Sequence, residues 1–124
     1  MTVAVDCPVL LDYFDRLDGP RPETVLELLA PEFRFATIWA ELESARPFSG
    51  GAAELETYFA SRDATGQRHH LLNGTSSGVG EVAAGYTTRH GEPLASFVMT
   101  VTLDQSGRID RLLSVRTTEL SLLD

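Results

Sequence analysis

The 124-residue chain contains no lysine, and all ten of its basic residues are arginine. Without a side-chain primary amine, Schiff-base chemistry and the phosphate-gripping lysine of P-loop nucleotidases are both excluded. A single cysteine, Cys7, excludes an internal disulfide and a multi-cysteine zinc site, and reads as a small hydrophobe near a helix start or as a free thiol. The histidines His69, His70 and His90 stand at no metal-ligand spacing, so neither a metal nor a cofactor is expected. The N-terminal Met-Thr-Val-Ala-Val-Asp lacks a basic region and a continuous apolar run. No later window approaches the roughly 18 uninterrupted apolar residues of a membrane span. Excess positive charge is missing too: the net charge is −8, with acids scattered along the chain. That balance argues against nucleic acid as a partner. The expectation is a soluble, cytoplasmic protein with no membrane partner. Its length suits one domain over residues 1–124, long enough to bury a core without staples.

What the chain does contain is clear hydrophobic patterning. From Leu94 to Leu103, Phe97, Met99, Val101 and Leu103 alternate with Ser96, Val98, Thr100 and Thr102, the period of a strand with one apolar face. Arg108 to Thr117 forms a second strand behind the turn Asp104-Gln105-Ser106-Gly107. Near the start, Asp6 is placed to cap a helix with Pro8 in its first turn, and Leu10, Leu11, Phe14 and Leu17 follow at helical spacing. Asp18-Gly19-Pro20 ends it. A second helix is predicted from Pro22, with Val25, Leu26, Leu28 and Leu29 as its apolar face and Pro31 as its stop. Phe33 to Ala40 then alternates as a strand, Glu41 to Pro47 reads as a polar connection, and Ser49-Gly50-Gly51 introduces a third helix. In that helix Leu55, Tyr58, Phe59 and Arg62 share a face. Strands resume at Arg68, with turns at 73–80 and 90–93. Helices first and an antiparallel meander last predict an α+β fold. Gly74 to Gly80 superficially resembles a phosphate loop, but it lacks lysine and leads into no helix.

Several motifs follow one another in a telling order: Tyr13-Phe14, Leu29-Ala30-Pro31-Glu32-Phe33, Pro47-Phe48-Ser49-Gly50, His69-His70 with Asn73, and Asp104 to Ile109 ending in Gly-Arg-Ile. In these the chain resembles the NTF2-like superfamily, especially its SnoaL-like and ketosteroid-isomerase-like members. The resemblance implies a cone-shaped fold, three helices packed on a curved, mostly antiparallel sheet around a pocket. It implies that Phe35, Thr37 and Trp39 point inward, together with Val82, Ala84 and Tyr86, with Phe97, Met99 and Val101, and with Leu112, Ser114 and Arg116. Val98, Thr100, Thr102, Leu113 and Val115 would face a partner subunit, giving a homodimer. A one-residue slip would reverse any of these assignments.

Resemblance also frames the chemistry. A ketosteroid isomerase needs a carboxylate base, a tyrosine donor and a neutral carboxylic acid. Tyr13 matches the tyrosine, but Thr37 stands at the base position and Met99 at the acid position, which argues against that activity. SnoaL-like cyclases place a carboxylate and a histidine around an aldol step; only one of two adjacent strand histidines can face a pocket, and the resemblance, which implies His-x-x-Asn at this place, brings forward His70, together with Asp110. The alternatives are a structural His70 at a strand start, a solvated Asp110 beside Arg108 or Arg111, and a core Tyr13. Arg116 either anchors a ligand carboxylate, pairs with Glu41 or Glu43, or reaches solvent. The limonene-epoxide-hydrolase branch, with its Asp-Arg-Asp arrangement, is disfavoured by Ser, Val, Thr and Met at the equivalent positions. Two functions are expected: binding of a small lipophilic molecule in an apolar pocket lined by Phe35, Thr37, Trp39, Tyr86, Phe97, Met99, Leu112, Ser114 and Arg116, or a polyketide cyclase or isomerase using Tyr13, His70 and Asp110.

Overall fold

A computed structural model describes residues 5–122. Helix α1 (Pro8–Leu17) is followed by a 3₁₀ segment (Pro22–Leu28), strands β1 (Leu29–Glu41) and β2 (Ser44–Gly50), helix α2 (Ala52–Ser61), and strands β3 (Gln67–Ser77), β4 (Gly80–Arg89), β5 (Glu92–Leu103) and β6 (Ile109–Thr117). The six strands form one curved sheet in the order β2-β1-β6-β5-β4-β3, antiparallel except where β1 runs parallel to β6. The α+β expectation holds, with both helices and the 3₁₀ segment on one face.

The local differences have physical causes. The second predicted helix is a 3₁₀ segment, and Leu29 already begins β1. Pro31 does not stop a helix; it lies in the strand, inside the irregular stretch between Leu29 and Arg34 where β1 breaks register with β6. A residue without an N–H is tolerated at such a bulge. The polar connection Glu41 to Pro47 proved to hold the first half of β2, which pairs with β1 at the edge of the sheet and is exposed except at Gly50. An edge strand needs no apolar face, so its sequence carries no alternation, and Pro47 suits an edge. The turn placed at residues 73–80 shrinks to Gly78-Val79, because β3 runs on to Ser77.

The cap of α1 is also not the expected one. Cys7 is the N-cap residue and offers no side-chain cap, while Asp6 accepts a hydrogen bond from Ser76 Oγ instead. The helix end is satisfied from the sheet: the buried Glu81 carboxylate on β4 accepts from Val9 N–H at 3.0 Å and Leu10 N–H at 2.8 Å. Pro8 has no N–H to satisfy, and Leu11 N–H bonds back to the Cys7 carbonyl. All free amide groups of the first turn are thus accounted for. The start of the helix lies so close to β3 that a Cβ at Gly74 would stand 2.5 Å from Cys7 Sγ.

Glu81 sets the parity of β4. Glu81, Ala83 and Thr87 face the helices, and the predicted inward set of Val82, Ala84 and Tyr86 faces away, with Val82 43% exposed. Ala83 pairs with Met99 and Glu81 with Val101, so β4 and β5 bury matching residues. The apolar pattern of β4 was misleading because its outer face is apolar as well. The core comprises Leu10, Tyr13, Phe14 and Leu17 of α1 against Phe35, Phe97, Met99, Val101 and Leu112 of the sheet. Replacing Glu81→Ala leaves two buried helix amides unpaired. It is expected to lower the free energy of unfolding by about 2–3 kcal/mol in chemical denaturation, more than a surface Glu→Ala change.

Candidate functional site

Between α1, α2 and the inner face of the sheet lies a cavity of about 50 Å³, room for about three or four waters. Tyr13, Phe14 and Leu17 come from α1, Leu55, Tyr58 and Phe59 from α2, and Arg62 from just beyond it. The sheet contributes Phe35, Thr37, His69, Phe97, Met99, Leu112, Ser114 and Arg116. Eight residues expected from sequence therefore share one cavity: Tyr13, Phe35, Thr37, Phe97, Met99, Leu112, Ser114 and Arg116.

Four others do not line it. His70 pairs opposite Tyr86 and stacks on its ring at 4.8 Å, on the side of the sheet away from the cavity, with Nε2 2.9 Å from Thr88 Oγ1. Residues directly opposite in an antiparallel pair share a face, so the parity imposed by Glu81 turns Tyr86 and His70 outward and brings His69 inward opposite Thr87. Asp110 is displaced by the irregularity between the Thr102 and Leu103 pairings, and accepts a hydrogen bond from the exposed Thr102. Trp39 has the inward parity but lies beyond the cavity lining, where its ring carries the Arg116 guanidinium at 4.1 Å.

His69 was the residue missed. Its backbone N–H donates to Asp18 Oδ2 at 2.6 Å, and its Nδ1 lies 2.8 Å from Asp18 Oδ1. A carboxylate only accepts, so Nδ1 carries the proton and Nε2 of the neutral ring holds the lone pair. The ring lies stacked on Phe14 at 4.6 Å and edge-on to Phe97 at 5.7 Å. Both side chains are buried, His69 to 5% exposure and Asp18 to 8%. Asp18 closes the last turn of α1, where the helix dipole disfavours a negative charge. Its signal in the sequence was an acid at a helix end, disguised as ordinary stop punctuation before Gly19-Pro20.

Burial pushes the His69 imidazole below its ordinary value; Asp18 opposes this, and the positive charges of Arg116 and Arg62 add to it. The ring is therefore neutral, and basic at Nε2, at pH 7. Burial pushes the Tyr13 hydroxyl upward, against Arg62 and with Tyr58, so it remains a proton donor. Burial lowers Arg116 from its ordinary value, with Tyr58 favouring its charge and Arg62 opposing it. Thr37 Oγ1 and Ser114 Oγ are hydrogen-bonded at 2.6 Å across the β1–β6 pair. Among the described residues no cluster of His, Cys, Asp and Glu could hold a metal ion, and no helix is long and apolar enough to cross a membrane.

No protein-family model matches the chain, and no curated protein sequence does. Solved structures do. A candidate isomerase of the SnoaL-like family from Agrobacterium tumefaciens superposes with a TM-score of 0.70 at 17% identity, covering 88% of this chain and 94% of its own. A candidate polyketide cyclase from Sinorhizobium meliloti gives 0.60 at 18% identity, covering 86% and 93%. An NTF2-like protein of unknown function from Cytophaga hutchinsonii gives 0.56 at 14% identity, covering 92% of both chains. The chain has the NTF2-like fold. At such identities the likeness concerns the NTF2-like fold alone, and the reaction must be argued from the side chains.

The His69 environment sets a pH dependence. A histidine held neutral in the folded state stabilises the fold fully above its unfolded value of about 6.5, and this stability is lost as pH falls through the lower folded value. Denaturation midpoints are expected to fall over that window, and His69→Gln to flatten the fall.

Proposed function

We propose that the protein binds a small lipophilic carbonyl compound in this cavity and moves a proton on it, with His69 as the general base. The observation that carries the reading is the Asp18-held imidazole on the cavity wall. Its Nε2 has no partner among the described residues, while the hydroxyl of Tyr13 lines the same space. An orienting carboxylate, a histidine of fixed tautomer and a nearby protonated donor are what carbon deprotonation next to a carbonyl requires. Nε2 takes the proton from carbon, Nδ1–H stays on Asp18, and the carbonyl oxygen, now an enolate, accepts from Tyr13. Arg116 supplies positive potential. Returning the proton to another carbon is an isomerisation; attack of the enolate carbon on a second carbonyl is an aldol cyclisation. The likeness to a candidate isomerase and a candidate polyketide cyclase supports this class. Thr37 and Met99, at the acid positions of a ketosteroid isomerase, speak against that reaction. Asp110 and His70, being outside the cavity, take no part.

The cavity volume favours a small ligand over a polycyclic one. We read its apolar wall, made of Phe35, Phe97, Met99 and Leu112, as the surface against which the carbon skeleton packs.

A second copy of the chain is the proposed partner for the outer sheet face. Val82, Val98, Leu113 and Val115 are each 40–52% exposed there, an apolar and β-branched surface unusual for a monomer. Light scattering at micromolar concentration is expected to show a dimer, and Val98→Arg to show a monomer.

The base is tested by deuterium incorporation, followed by NMR, into a set of small cyclic ketones and β-keto esters. Exchange by the native protein is expected to exceed that of His69→Gln by about 10²-fold or more. Asp18→Asn should lower it as well, by releasing the tautomer. Exchange no faster with the native protein than with His69→Gln, across the whole set, would remove the reading.

A further inference from the structure

Arg116 is 9% exposed, and its Nε and Nη2 find no hydrogen-bond partner among the described residues. A guanidinium carries five donors in a planar fork and is never neutral, so leaving two of its N–H groups dry is costly. One face of the group is covered by Trp39. The side chain also lines the cavity.

The surroundings make the omission specific. The cavity lining includes Arg116, Arg62 and His69 but no Asp or Glu, although the protein carries eighteen acids and a net charge of −8. Arg62 is engaged, donating from Nη1 to Gln67 Oε1 at 2.7 Å. Tyr58 engages the Arg116 guanidinium, but among the described residues its Nε and Nη2 are left without a partner. Ser114, two residues earlier on the same strand face and paired to Thr37, adds hydroxyls roughly 7 Å along the strand. The opposite wall is aromatic and aliphatic.

We propose that the cavity is a carboxylate site: its ligand is a small apolar carboxylic acid, bound as the anion through a two-pronged contact to Nε and Nη2 of Arg116. A carboxylate matches the spacing of that edge, whereas an amide or alcohol of equal shape satisfies one N–H at most. The anion supplies the counter-charge that the chain withholds, and the ring or alkyl group fills the apolar wall. The inference deepens the proposed function, since it rests on ligand binding in the same cavity and narrows the carbonyl compound to a keto acid or its relative. It does not rest on His69 acting as a base.

Benzoate and benzamide, nearly equal in shape and different in charge, separate these points by calorimetric titration and thermal shift. The native protein is expected to bind benzoate at least about tenfold more tightly than benzamide, and Arg116→Met to abolish the preference. Without ligand, Arg116→Met is expected to melt no lower than the native protein, because it removes a buried unpaired charge. Benzoate binding by the native protein without deuterium exchange into the ketones would remove proton transfer and leave this inference standing. Equal affinity for the two probes, no binding of benzoate, unchanged benzoate binding in Arg116→Met, or equal stabilisation by inorganic phosphate would overturn it. An Arg116→Met variant that melts lower or fails to fold would make Arg116 a structural residue and also overturn it.

Discussion

The contact on which the site depends is the pair of hydrogen bonds from Val9 and Leu10 to the Glu81 carboxylate. A buried acid on a strand is costly unless its oxygens are engaged, and a helix start is a set of donors in need of acceptors. Each feature resolves the other's problem, and together they fix α1 against β4. Asp18 does the same at the other end, gripping the backbone and ring of His69 on β3. The helix is therefore fastened to the sheet by one carboxylate at each end. Tyr13 and Phe14, between the two clamps, have no freedom to leave the cavity wall.

The two clamps divide the labour differently. Glu81 belongs to folding: it caps a helix and lines no part of the cavity. Asp18 belongs to both folding and the site, because the same carboxylate that holds β3 dictates which ring nitrogen of His69 carries the proton. Placing an acid at a helix C-terminus, a buried stacked imidazole and a guanidinium with two unpartnered nitrogens nearby runs against stability at three positions. Such concentrations of unfavourable choices mark sites where stability has been traded for a ligand or a reaction.

Much of the architecture was legible in the residues. The period-two patterns of β1, β5 and β6 and the helical spacing of α1 and α2 located those elements, and the inward faces of β1, β5 and β6 followed from the resemblance to the NTF2-like superfamily. What stayed hidden were features in which the pattern is satisfied by long-range contacts. β2 is an edge strand with polar faces, so it looks like a connection. The parity of β4 is decided by the need of a helix start 71 and 72 residues away in sequence, and a large Val82 or Tyr86 gives no hint that Glu81 is the buried member. That one inversion also exchanged the roles of His69 and His70. Asp110 was lost for a similar reason, since a bulge leaves no mark in the alternation. The cavity residues of α2, Tyr58 and Phe59, were visible on one helical face, but nothing in the sequence marked that face as a pocket wall.

The two helices bounding the cavity are held very unequally. α1 buries four side chains and is clamped at both ends, whereas α2 fully buries only Leu55 and packs on the exposed edge strand β2. Local opening follows the cheapest set of contacts. The α2 amides should therefore exchange with solvent hydrogen well before those of α1. Opening of the cavity follows the weaker helix, and the alignment of the α1 side chains on its wall follows the stronger one.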